Sequence, residues 1–119
     1  MSQIILDMGS GNTCHNDKKI IEKMIRQVVE VASDRHEIIF KWQLFKNAPP
    51  NEPLEHKAFE YAYRLANNLG FQTTSSVFDL DSLRYLMNFQ IPFVKIACNP
   101  DLYHLAFYST VPVYMSTAT

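Results

Sequence analysis

Residues 38–70, IIFKWQLFKNAPPNEPLEHKAFEYAYRLANNLG, carry the pattern that decides the fold. The β-branched and aromatic run 38–45 reads as a strand, because such side chains suit a pleated, buried surface. The loop NAPPNEP ends it. Pro53 suits a first helical turn, where its missing N–H costs nothing. Phe59, Ala62, Tyr63, Ala66 and Leu69 then recur on one helical face, and Gly70 supplies a left-handed stop. A strand followed by an amphipathic helix is half of a βαβ unit.

The same alternation extends in both directions. Upstream, the apolar run QIILDM (3–8) is stopped by Gly9-Ser10-Gly11-Asn12, and from an N-cap at Asn16 or Asp17 the residues Ile21, Met24, Ile25, Val28 and Ala32 recur at helical spacing. Downstream come FQTTSSVF (71–78), a short helix from Asp79 through about Met87, the strand FVKIACN (93–99), a turn of helix over 101–107, and VPVYMST (111–117). About five strands joined by four helical connections predict parallel pairing with both sheet faces covered. A doubly wound sheet and a (β/α)8 barrel both satisfy this, and periodicity does not choose between them. Trp42 fits either the barrel interior or the helix layer. Asp7, Lys41, Gln43, Ser76, Lys95 and Ser116 all fall late in their strands, where both architectures place ligands.

Composition limits the functional classes. The 119 residues are 47% hydrophobic and 19% charged, which suits one globular domain over 1–119 and not a disordered chain. Eleven basic residues against 12 acidic ones, with neither sign in a block, exclude the electrostatic footprint of a nucleic-acid or membrane-surface binder. The absence of a signal-like start or a membrane-length apolar run leads to the expectation of a cytoplasmic protein. The two cysteines, Cys14 and Cys98, lack zinc-site spacing and read as reduced thiols.

The strand ends resemble a known family. IILDMGS, IIFKWQLFK, SSVFDLDSLRYL, IPFVKIACNPDL and PVYMSTA are similar, in order and spacing, to the N-terminal half of the sialic acid synthase (N-acetylneuraminate synthase) family. KWQLFK resembles that family's K-F-Q-x-F-K strand, SSVFD its S-T-P-F-D, VKIAC its Y-K-I-A-S, and MSTA its L-S-T-G. The resemblance implies a (β/α)8 barrel that condenses phosphoenolpyruvate with an N-acetyl amino sugar, using a divalent metal such as manganese or magnesium. It implies catalytic roles for Asp7, Lys41 and Gln43, with Asp7 standing for a glutamate. It implies phosphoenolpyruvate contacts at Ser76, Lys95, Cys98 and Ser116, with Ser76 replacing a threonine and Cys98 a serine. Asn12 or the His15-Asn16 pair matches the family's Asn-His-Asn loop.

The family's metal-binding histidines lie on later strands than this sequence carries. A full barrel takes about 250 residues, so the expectation is a partial TIM barrel, truncated or split, whose open edge is completed by a homodimer or a complementing second chain. Two other readings compete. One is a non-catalytic half-barrel that binds a phosphorylated metabolite or a protein partner. The other is a class I aldolase-like enzyme with Lys95 as its Schiff-base lysine. The remaining polar residues have plainer explanations: His36, His56 and His104 as surface or packing residues, Cys98 as a small buried residue, and Cys14-His15 as no metal site, because adjacent side chains diverge.

Overall fold

A computed structural model describes residues 2–32 and 36–115. Five strands, β1 (Ser2–Gly9), β2 (His36–Leu44), β3 (Gln72–Val77), β4 (Val94–Ile96) and β5 (Val113–Met115), form one sheet in the order β1-β2-β3-β4-β5. Every pairing is parallel. The connections carry helices α1 (Gly11–Cys14), α2 (Lys18–Val31), α3 (His56–Asn68) and α4 (Leu80–Leu86), followed by a 3₁₀ helix over Pro100–Tyr108. Each crossover steps one strand over in the same direction. Since such crossovers are right-handed, sequential order stacks the helices on a single face. The packing agrees: α2 lies on α3, α3 and α4 lie on β3, and the 3₁₀ helix lies on α4 and β4. A doubly wound sheet needs a reversal of strand order, and these strands have none.

The helix-covered face holds the core. Ile38, Phe40, Trp42 and Leu44 of β2 join Val77, Val94 and Ile96 against Ile21, Ile25, Ala58, Phe59, Ala62, Ala66, Leu83 and Leu86. Trp42 therefore belongs to the helix layer. Small residues on α3 let it approach the sheet closely, and Phe59 fills the remaining space with its ring near Phe89 (5.1 Å) and Tyr85 (6.1 Å).

Several local expectations change. Asp17, not Asn16, caps α2, its carboxylate accepting from Lys19 N at 2.8 Å. Asn16 instead ties down the β2–α3 loop, donating to the Pro53 carbonyl (3.1 Å) and accepting from Glu55 N (2.8 Å). With its carbonyl taken by that side chain, Pro53 does not open α3, which starts at His56 with Glu55 as its cap. The Gly-Asn turn after β1 is helical over Gly11–Cys14, because Ser10 accepts from Asn12 N and caps it. Gly70 does follow α3 with φ +89°. The third and fourth strands are shorter than the apolar runs that signal them, and the fifth starts at Val113.

Candidate functional site

In a parallel ladder, residues in register point to the same side, and successive residues alternate. Asp7 is paired with Lys41, and Lys41 with Thr74. One row further along, Gln43 is paired with Ser76, Ser76 with Lys95, and Lys95 with Tyr114. Trp42 and its partner Ser75 alternate to the helix side. Asp7, Lys41, Gln43, Ser76 and Lys95 therefore share the face turned away from the helices, near the C-terminal strand ends. Neighbouring strands lie about 4.8 Å apart, so Ser76 is immediately flanked by Gln43 and Lys95. The same face carries Ile39 one row before Lys41 and Tyr114 level with Lys95, and the rings of Tyr114 and Phe93 stack at 4.1 Å. Thr74 closes the layer by donating to the Phe93 carbonyl.

One interaction organises the β1–β2 side. The Lys41 ammonium lies 3.4 Å from Asp7 Oδ2, and the Gln43 amide donates to the same carboxylate at 3.4 Å. Asp7 Oδ1 also accepts from Gly9 N at 3.0 Å. That bond requires the tight turn made by Gly9, whose φ of +83° leaves no room for a Cβ against Thr13. The β-bulge between Asp7 and Gly9 aims the carboxylate at β2. Lys41 is 12% exposed and Asp7 50%. Lys95, two strands away and half-buried, has no carboxylate within ion-pair distance among the described residues. Ser76 is buried beside it, 5% exposed.

The other expected residues lie elsewhere. Cys98 is exposed beyond the end of β4, its sulfur 3.4 Å from the Tyr103 hydroxyl of the 3₁₀ helix. That hydrogen bond raises the Tyr103 phenol above its ordinary range. Ser116 lies outside the described residues. Of the two matches to the Asn-His-Asn loop, Asn12 reaches the strand-end region: its amide donates to Asn51 Oδ1 (3.2 Å) and its carbonyl oxygen accepts from Glu52 N (2.6 Å). His15 is exposed, 3.9 Å from Glu52. Cys14 is fully buried, and burial pushes its thiol upward.

Sequence reasoning missed a cavity. About 230 Å³ opens beside the ion pair, lined by Ser10, Asn12, Gln43, Phe45, Asn51 and Phe78 among others. Phe45 and Phe78 meet edge to face at 6.2 Å. Among the described residues no charged side chain lines it. The Pro-rich loop that delivers Asn51 is the one sign of it that the sequence carries.

Among the described residues no group of three or more His, Cys, Asp or Glu stands close enough to hold a metal ion. The carboxylate nearest the polar layer, Asp7, already faces an ammonium. The donors present therefore do not fit a divalent metal. Among the described residues no helix is long and apolar enough to cross a membrane. No protein-family model matches the chain, and no curated protein matches it.

Proposed function

We propose that this chain forms the leading strands of a (β/α)8 barrel of the sialic acid synthase type, and that its polar sheet face binds phosphoenolpyruvate. The observation that carries the reading is the lateral register of Gln43, Ser76 and Lys95, with Lys41 one row below, on the face a barrel would enclose. Two ammonium groups on separate strands, with a hydroxyl and an amide between them, are what a phosphate and a carboxylate on one small molecule require. Among the described residues Lys95 has no carboxylate partner, and it sits in an apolar strand, so a bound phosphate would offset the cost of burying its charge.

In this reading Ser76 and Lys95 hold the phosphate end. Lys41 and Gln43 hold the carboxylate end, and Asp7 moves a proton or orients a water. The neutral, amide-lined and aromatic cavity beside them suits a hydroxylated, N-acetylated sugar, because such ligands combine apolar faces with many uncharged donors and acceptors. β1 and β5 each pair on one side only among the described residues. Exposed ladder edges recruit partners, and we propose a second copy or a complementing chain as the cover.

Titration calorimetry with phosphoenolpyruvate tests the reading. Saturable binding tighter than about 1 mM, roughly −4 kcal/mol, should weaken at least tenfold in Lys95→Met. Heats no larger than dilution would remove the proposal. Phosphate release from phosphoenolpyruvate with N-acetylmannosamine and manganese, with and without a protein supplying the later strands, tests turnover.

A further inference from the structure

The Asp7–Lys41 pair is unevenly exposed. The lysine side chain is 12% exposed and the aspartate 50%, so a largely shielded lysine is paired with a carboxylate that solvent reaches. Both oxygens are engaged: Oδ1 by Gly9 N, Oδ2 by Lys41 Nζ, and the pair of them by Gln43 Nε2. These donors form an anion seat, and a side chain of the protein fills it. The contacts are longer than those of tight charge-assisted pairs, which are typically about 2.7–2.9 Å. The seat is occupied but not clamped.

We infer that Asp7 is a resident counter-ion which an incoming anion must displace from Lys41 and Gln43. This inference rests on the proposed phosphoenolpyruvate site and adds an exchange to it: ligand arrival releases the Asp7 carboxylate, which becomes available for proton work only with substrate in place. The exchange costs every anion the same, so specificity comes from the neighbouring strands. A monocarboxylate offers Lys41 nothing that Asp7 does not already supply from within the chain. A ligand carrying a phosphate as well gains Lys95 and Ser76 on the neighbouring strands, and this gain drives the displacement. The site therefore selects phosphorylated carboxylates over simple ones such as pyruvate.

The test measures dissociation constants for phosphoenolpyruvate, inorganic phosphate and pyruvate on the full chain, on Asp7→Asn and on Asp7→Ser. Both variants keep an oxygen that can accept from Gly9 N. Each should bind phosphoenolpyruvate at least tenfold tighter than the parent, and pyruvate, which must displace the same carboxylate, should gain as well. The gain should vanish when Lys41→Met is added. In the unmodified chain, the Gln43 side-chain amide resonance should move on saturation with phosphoenolpyruvate, a readout that does not depend on any variant folding. Equal or weaker binding in both Asp7 variants, or an unmoved Gln43 amide in a saturated sample, overturns the counter-ion role and leaves the phosphoenolpyruvate reading standing. No binding by the parent or by either folded variant overturns both.

Discussion

The two faces of the sheet are made by alternate residues of the same strands, yet they obey different rules. On β2, Phe40, Trp42 and Leu44 point to the helices and are essentially inaccessible, whereas Lys41 and Gln43 point the other way and keep partial access to solvent. Helix-side side chains are held by shape, through dispersion and exclusion of water. The polar ones on the opposite side are held by a few directional contacts, such as the 3.4 Å pair of Lys41 with Asp7. A strand can therefore supply a rigid framework with one face and adaptable chemistry with the other. Stability and binding should separate by face.

The largest expected effect lies on the packed face. Phe59 is fully buried and meets the rings of Tyr63, Tyr85 and Phe89. Phe59→Ala should cost about 3–5 kcal/mol, because a well-packed site collapses only partly around the space left. Chemical denaturation measures it. A loss below about 1 kcal/mol would mean that the helix layer is not packed as described.

A smaller effect comes from a titratable group in the same layer. Tyr85 stacks on His56 at 3.6 Å and donates to the His56 carbonyl at 3.1 Å. Burial, with a lesser contribution from the Glu60 charge, pushes its phenol from the ordinary 10.0 up to about 12. The folded state thus favours the neutral form. That contribution is intact below pH 10 and is lost as pH rises from about 10 to about 12. Tyr85→Phe should flatten this part of the pH–stability curve. An unchanged alkaline slope would contradict the burial argument.

Much of the framework was legible because it rests on periodicity. The strand of 38–45 and the helix ending at Gly70 follow from apolar spacing, and tertiary contacts altered only their ends. What sequence left open was the choice between architectures, since an apolar strand reads the same in either. Strand order decided against double winding, and order is set by crossover geometry that no single segment encodes. The Lys41–Ser76–Lys95 face was legible as strand-end polarity, and the lateral register adds that these residues share one side. The cavity was not legible, because Asn12, Asn51 and Phe78 come from α1 and two separate loops brought together by side-chain-to-backbone bonds such as Asn12 to Glu52. Pro53 was misplaced for the same reason: a contact 37 residues away in sequence took its carbonyl.

The smallest stability effect should fall on the polar face, and it sharpens the comparison most. Lys41→Met removes a charge whose partner, Asp7, is half-exposed and remains solvated without it. Exposed or half-exposed pairs contribute roughly 0–1 kcal/mol, and the methionine stem keeps most of the aliphatic packing. Stability should therefore change by less than about 1 kcal/mol. Phosphoenolpyruvate affinity should meanwhile fall at least tenfold, about 1.4 kcal/mol, since the ligand loses one of two cations. A parallel melt and titration read both quantities from one sample. A large loss of stability with binding intact would assign Lys41 to the framework and leave Lys95 as the only cation of the proposed site.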